Sequence, residues 1–198
     1  MTVSSQTLRE ITGMGFGHAN LQDSALIMVD CQNTYRRGVM QLTNVEPAIV
    51  EAQKLLLKAR ALNIPIIHIQ HDAGAGTPYD ISNDIGAISD EVAPANGEAV
   101  VVKHYPNAFV QTQLEAQLKS LGIEDVVLAG FMTHMCINST ARGAFNAGFK
   151  PTVVASACAT RSLVGPQGKV IDAQTMHDSA LAAIRDLFAV VVDDVDKL

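Results

Sequence analysis

Short apolar runs alternate with longer segments of helical periodicity along most of this chain, and this order constrains the fold more than any other feature. Residues 24–30 form a continuous apolar run that ends in an acid, which is typical of a strand buried on both faces. Apolar residues then recur at helical spacing from 45 to 62. The same alternation predicts further strands at 64–70, 99–103, 125–130, 151–157 and 189–192. We therefore expect a single-domain α/β protein with a mostly parallel, six-stranded sheet and helices on both faces.

Composition narrows the class of protein. The 198 residues fit one domain, predicted at 21–198 after an N-terminal arm at 1–20. A net charge of −6 without a basic stripe argues against nucleic acid, and no apolar run suits a membrane span or a signal peptide. Three cysteines, an odd number, favour reduced thiols in the cytoplasm. Charged residues are only 17%, which favours subunit contacts and therefore a homo-oligomer, a dimer or larger. Separately, we expect the ligand to be a small molecule.

The ends of three predicted strands carry an acid, a base and a thiol. Asp30 follows the first strand, Lys103 ends the third, and Cys136 follows the fourth after a glycine turn. Parallel strands place their carboxyl ends along one edge of the sheet, where ligands of open α/β proteins bind. We therefore expect these three side chains to share one crevice and to form the site of a cysteine hydrolase.

Cys136 is the cysteine with a physical reason to be reactive. Thr133 is a plausible N-cap, which would place Cys136 in a first helical turn where free N–H groups lower a thiol pKa. Cys31 and Cys158 are expected to pack as small apolar residues. In this hypothesis Asp30 accepts the thiol proton and Lys103 stabilises the thiolate.

A family resemblance follows from three motifs. The sequence Asp-x-Gln-Asn at 30–33, Lys103 after a strand, and Gly-x-x-Thr-x-x-Cys at 130–136 resemble the isochorismatase-like cysteine hydrolases. The resemblance extends from about residue 24 to the sixth strand. It implies the isochorismatase fold, which has a three-layer αβα, Rossmann-like architecture. It also implies an Asp30-Lys103-Cys136 catalytic triad and a cis peptide at Phe131-Met132. It also implies an oxyanion hole made by the backbone N–H groups of Met132 and Cys136.

The resemblance also implies a reaction. The Cys136 thiolate would cleave a small-molecule amide or carbamoyl C–N bond through a thioester, as in nicotinamidases and N-carbamoylsarcosine amidases. Two alternatives remain: an isochorismatase-type ether or ester hydrolase, and a non-catalytic ligand-binding α/β domain. The nicotinamidase branch binds a metal through an Asp-x-His pair near the second strand. Here Asp72 follows His71 without a histidine two residues on, so we expect neither a metal nor another cofactor.

The substrate pocket is predicted from residues near the triad. Arg161 and Arg36 are candidates to bind a substrate carboxylate, and the loops at 72–96 and 161–169 are expected to set specificity. The other pocket candidates lie within a few residues of the triad in sequence or supply aromatic and sulfur-containing walls: Gln32, Tyr35, His104, Tyr105, Phe109, Phe131, Met132 and His134.

Overall fold

The computed structural model describes residues 5–198 and contains the predicted six-stranded parallel sheet. The strands are β1 (Ser24–Val29), β2 (Ile66–His71), β3 (Ala99–Lys103), β4 (Asp125–Phe131), β5 (Lys150–Ala159), β6 (Leu163–Val164), β7 (Val170–Ile171) and β8 (Val190–Val192). The order in the sheet is β3-β2-β1-β4-β5-β8. A short antiparallel ribbon, β6 with β7, was not predicted from the sequence.

Helices cover both faces of the sheet, which confirms the three-layer prediction. Every residue of β1 is buried, and its side chains alternate between the two helical layers. Leu26 and Met28 pack on the α2 side, whereas Ile27 and Val29 pack on the side of α3, α4 and α5. The helices are α1 (Leu8–Ile11), α2 (Val45–Ala61), α3 (Leu114–Ser120), α4 (Asn138–Asn146) and α5 (Ala173–Arg185).

The order of the strands places a crevice between β1 and β4. The chain builds outward from β1 to β2 and β3, then returns to add β4 on the other side of β1. Ligands of open α/β sheets bind at such a switch point, outside the carboxyl ends of the strands. The two strands meet closely there, because Gly130 pairs with Val29 at a φ of 125° and an added Cβ would lie 1.9 Å from the Val29 carbonyl oxygen. Only glycine fits this position.

The described part of the N-terminal arm packs on the domain near the start of β5. The Arg9 guanidinium donates to the Leu187 carbonyl at 2.9 Å, and the Ala19 N–H donates to Thr152 Oγ1 at 2.9 Å. Residues 1–4 of the predicted arm lie outside the described residues, and the boundary at 20/21 stays a prediction. Within residues 5–198, no helix is both long enough and apolar enough to span a bilayer.

Candidate active site

Asp30 and Lys103 form a buried ion pair at the crevice. Asp30 follows β1 directly and adopts a left-handed φ of 49°, which aspartate tolerates better than most residues do. Its N–H donates to the Ile69 carbonyl at 3.0 Å, which fixes the turn. Lys103 ends β3, and its Nζ lies 2.7 Å from Asp30 Oδ2 with both side chains fully buried.

Cys136 reaches this pair from β4, which lies on the opposite side of β1 from β2 and β3. The chain leaves β4 through a cis Phe131–Met132 peptide and a π-helical segment, Thr133–Ile137, that continues into α4. Cys136 is 4% exposed, and its Sγ lies 3.4 Å from Lys103 Nζ, which donates to it. The structure thus brings together the three side chains that strand order alone had placed along one edge.

The predicted capping role of Thr133 is wrong. Thr133 already lies inside the π-helical segment, whose N-cap is Met132 and has no side-chain cap. The Thr133 hydroxyl instead pairs with His177 Nδ1 on α5 at 2.9 Å. The helical segment begins as a π-helical turn at Thr133 itself, and a capping rule based on sequence alone does not include such a turn.

The predicted low pKa of the Cys136 thiol is also wrong. Burial raises this pKa, the nearby Asp30 carboxylate raises it further, and the Lys103 ammonium opposes both only in part. Cys136 therefore rests as a thiol and needs a base. Burial also raises the Asp30 pKa against the opposing effect of Lys103, and Asp30 Oδ1 has no hydrogen-bond partner within residues 5–198. This oxygen is placed to accept a proton.

His71 lies against the same ammonium, although the sequence suggested only a metal role for it. Its Nδ1 is 3.1 Å from Lys103 Nζ, and burial followed by the Lys103 charge lowers its pKa to about 4. Gln32, a predicted pocket residue, is fully buried and is used structurally. Its amide bonds both the N–H and the carbonyl of His71, at 2.9 Å and 3.0 Å. The signal that could have found His71 is its position at the end of β2, beside Lys103 in the ladder.

Several predicted pocket residues do surround the triad. Tyr35 is buried and makes edge-to-face contacts with Phe131 and Tyr79, each with ring centroids 5.8 Å apart. Met132 is buried beside the cis peptide. Among residues 5–198, the Met132 N–H donates none of the backbone hydrogen bonds that turns and loops form. Tyr79, which sequence reasoning missed, belongs to the 72–96 loop.

Other predicted pocket residues lie apart from the triad. His104 and Tyr105 are exposed, although His104 contacts the Asp72 carbonyl at 2.8 Å. Phe109 stacks on Phe149 in the core beneath the helices, with ring centroids 5.7 Å apart. His134 is partly buried beside Thr160, and burial lowers its pKa.

The remaining candidates are two cysteines and two arginines, and only one of the arginines stays a candidate for ligand binding. Cys31 and Cys158 are buried in the two cores, as the packing interpretation predicts. Arg36 is paired with Glu46 and Glu91, which leaves it unsuited to a ligand. Arg161 is partly buried, and its Nε has no hydrogen-bond partner among the described residues. Its positive charge acts to lower the pKa of both His134 and Tyr79.

The residues near His71 and Asp72 do not fit a metal ion. Among residues 5–198 there is no group of three or more His, Cys, Asp or Glu side chains able to hold one. His71 Nδ1 already faces the Lys103 ammonium, so a cation bound at that nitrogen would lie next to a positive charge.

Comparison with known proteins gives a consistent family. The protein-family model for the isochorismatase domain matches residues 24–195 of this chain. A secreted isochorismatase effector of Verticillium dahliae is 35% identical and covers 96% of this chain and 98% of its own length. The maleamate amidohydrolase of Pseudomonas putida is 32% identical over 71% of this chain and 72% of its own.

A solved structure shows the same fold over nearly the whole chain. The crystal structure of an isochorismatase from Pseudomonas putida superimposes with a TM-score of 0.92 at 34% identity, covering 96% of this chain and 97% of that one. The family-model match at residues 24–195 includes the positions of Asp30, Lys103 and Cys136.

Proposed function

The chain belongs to the isochorismatase family of hydrolases, and from this premise we propose that it is a cysteine-dependent hydrolase. It cleaves an amide or carbamoyl C–N bond of a small molecule through a thioester intermediate. The observation that carries the proposal is the buried cluster of the Cys136 thiol, the Asp30 carboxylate and the Lys103 ammonium. A structural ion pair does not need a thiol beside it or a free carboxylate oxygen.

The first half-reaction breaks the C–N bond. Asp30 takes the proton from Cys136 Sγ, and Lys103 stabilises the thiolate as it attacks the carbonyl carbon. The carbonyl oxygen becomes an oxyanion, which the N–H groups of Met132 and Cys136 stabilise. The tetrahedral intermediate collapses, Asp30 gives its proton to the leaving nitrogen, and ammonia or an amine departs.

The second half-reaction restores the enzyme. Asp30 takes a proton from water as the oxygen attacks the thioester carbon. The C–S bond then breaks, and the proton returns from Asp30 to the Cys136 sulfur. A raised Asp30 pKa serves both halves, because the carboxyl group must bind and release a proton near neutral pH. No step uses a metal or another cofactor.

A small amide with a carboxylate is the favoured substrate. The related amidohydrolase acts on maleamate, a small anion. The Nε of Arg161 has no hydrogen-bond partner among residues 5–198, and the Arg161 charge acts to lower the pKa of Tyr79 in the 72–96 loop. A planar guanidinium suits a carboxylate.

A second candidate is hydrolysis of a vinyl ether such as that of isochorismate. The relative from Verticillium dahliae favours it, because the match covers nearly the whole chain and that protein is described as an isochorismatase. This chemistry requires the acid and the lysine but not a sulfur nucleophile. The two functions therefore differ in their dependence on Cys136.

The experiment is a hydrolysis screen with matched cysteine variants. Primary amides, carbamoyl compounds and ureides are tested for ammonia release, and isochorismate for ether cleavage, each with and without chelator. We expect ammonia from a carboxylate-bearing amide, unaffected by chelator. Cys136→Ala should lower the rate at least about a thousandfold, whereas Cys158→Ala, a matched change at another buried cysteine, should not. Full activity of Cys136→Ala would contradict the thioester mechanism.

A further inference from the structure

Lys103 Nζ carries three N–H donors, and three candidate acceptor atoms lie around it. Its Nζ lies 2.7 Å from Asp30 Oδ2, 3.4 Å from Cys136 Sγ and 3.1 Å from His71 Nδ1. The Lys103 side chain is fully buried, where an unpaired donor costs about 1–3 kcal/mol. The proposed mechanism explains the first two contacts but not the third.

The chemistry of the contact fixes the state of His71. An ammonium group only donates, so His71 Nδ1 must accept, and the ring is neutral with its proton on Nε2. Burial, Lys103 and His104 together lower the His71 pKa to about 4, and only Asp72 opposes them. The acceptor is therefore present at neutral pH.

The surroundings of His71 hold its ring in place. His71 is the last residue of β2 and pairs with Lys103 in the parallel ladder, so both side chains leave the same face of the sheet. The Gln32 side chain accepts a hydrogen bond from the His71 N–H and donates one to the His71 carbonyl. The ring also contacts Tyr79 edge to face, with centroids 5.1 Å apart.

We propose that His71 is a positioning residue, whose Nδ1 holds the third ammonium proton so that Lys103 directs its other two toward Asp30 and Cys136. This inference rests on the proposed function of the triad. A neutral acceptor suits the place better than a carboxylate would. A second anion would compete with the Cys136 thiolate for the ammonium and would make the thiol harder to deprotonate.

The test uses the alkylation of Cys136 by iodoacetamide, which needs no known substrate. His71→Phe keeps an aromatic ring against Tyr79 but has no acceptor, and His71→Leu is measured alongside it. His71→Asn restores an acceptor oxygen near the place of Nδ1. His18→Phe, a matched change at an exposed histidine of the N-terminal arm, is the control. Rates are followed by mass spectrometry from pH 6 to pH 10, after thermal unfolding shows which variants are folded.

We expect the Phe and Leu variants to react about tenfold more slowly at pH 7, with profiles moved to higher pH, because the thiolate loses a fixed counter-charge. The Asn variant and the control should stay within about threefold of the wild type. Equal rates for wild type and His71→Phe would overturn the role of His71, as would an Asn variant as slow as Phe. If wild-type Cys136 reacts no faster than Cys31 and Cys158, the proposed function fails as well, which is a separate result.

Discussion

Two carboxylates next to strands of the sheet have a basic partner at the same distance, yet their environments differ in kind. Asp30 Oδ2 lies 2.7 Å from Lys103 Nζ at the crevice, and Glu98 Oε1 lies 2.7 Å from Nε of Arg60 in α2. Both pairs also have a histidine nearby, since His68 contacts Glu98 at 2.8 Å. The comparison separates an ion pair that serves the fold from one that is prepared for chemistry.

The Glu98 cluster satisfies its carboxylate. Arg60 donates to both oxygens, and the Ala95 N–H adds a bond of 2.8 Å. The Glu98 and Arg60 side chains are 11% and 30% exposed, so solvent shares the charge. The bonds from Arg60 are the main reason that the Glu98 pKa falls to about 2, which makes Glu98 a poor base at neutral pH.

The Asp30 cluster leaves its carboxylate unsatisfied. The closest contact of Lys103 is with Oδ2, both side chains are fully buried, and Oδ1 has no hydrogen-bond partner among residues 5–198. Burial therefore raises the Asp30 pKa even beside a cation. The number of donors and the exposure, rather than the presence of an opposite charge, decide which carboxylate can accept a proton.

The largest expected effect comes from removing the base. Asp30→Asn keeps the shape and tolerates the left-handed backbone, but it cannot take the proton of Cys136. We expect the rate of ammonia release to fall about a thousandfold. Iodoacetamide labelling of Cys136 should slow in parallel, and circular dichroism would check the fold, since a buried lysine without its partner is costly. Normal activity of a folded variant would make Asp30 a structural residue like Glu98.

The matched change in the other cluster should affect stability instead. Glu98→Gln removes the charge that Arg60 and His68 contact, and we expect a loss of about 1–2 kcal/mol in the free energy of unfolding. Activity per folded molecule should not change, because no hydrogen bond or ion pair within residues 5–198 joins this cluster to the triad. Urea unfolding and the hydrolysis assay measure the two quantities. A large loss of activity with unchanged stability would remove the distinction between the clusters.

Sequence reasoning identified the strand ends but not the charge states. Asp30, Lys103 and Cys136 could be placed together because the ends of parallel strands share one edge, whatever the loops do. The same argument applies to His71, which ends β2 beside Lys103 and therefore lies at the same edge of the sheet. The sequence pattern around His71 suggested only a role in metal binding. The direction of the Cys136 pKa could not be predicted, because it depends on burial created by distant segments. The helix-terminus rule considers only neighbours along the chain, whereas burial and the Asp30 carboxylate raise the Cys136 pKa.

The smallest expected effect is a difference in how pH changes stability. The folded-state pKa of Glu98 is lowered, so its contribution is full above the unfolded value near 4.5 and is lost as the pH falls toward 2. The folded-state pKa of Asp30 is raised, so its contribution is full below the unfolded value near 3.8 and is lost as the pH rises through the folded value.

Urea unfolding of the wild type and both variants, between about pH 3 and pH 7, measures these opposite signs. The stability lost on Glu98→Gln should shrink as the pH falls, because the wild type then loses the contribution that the variant already lacks. The stability lost on Asp30→Asn should grow over the same range, because the wild-type carboxyl binds a proton more tightly when folded. Two differences that change in the same direction would mean that the Asp30 pKa is not raised, and Asp30 would then lack the proton affinity that the mechanism requires of its base.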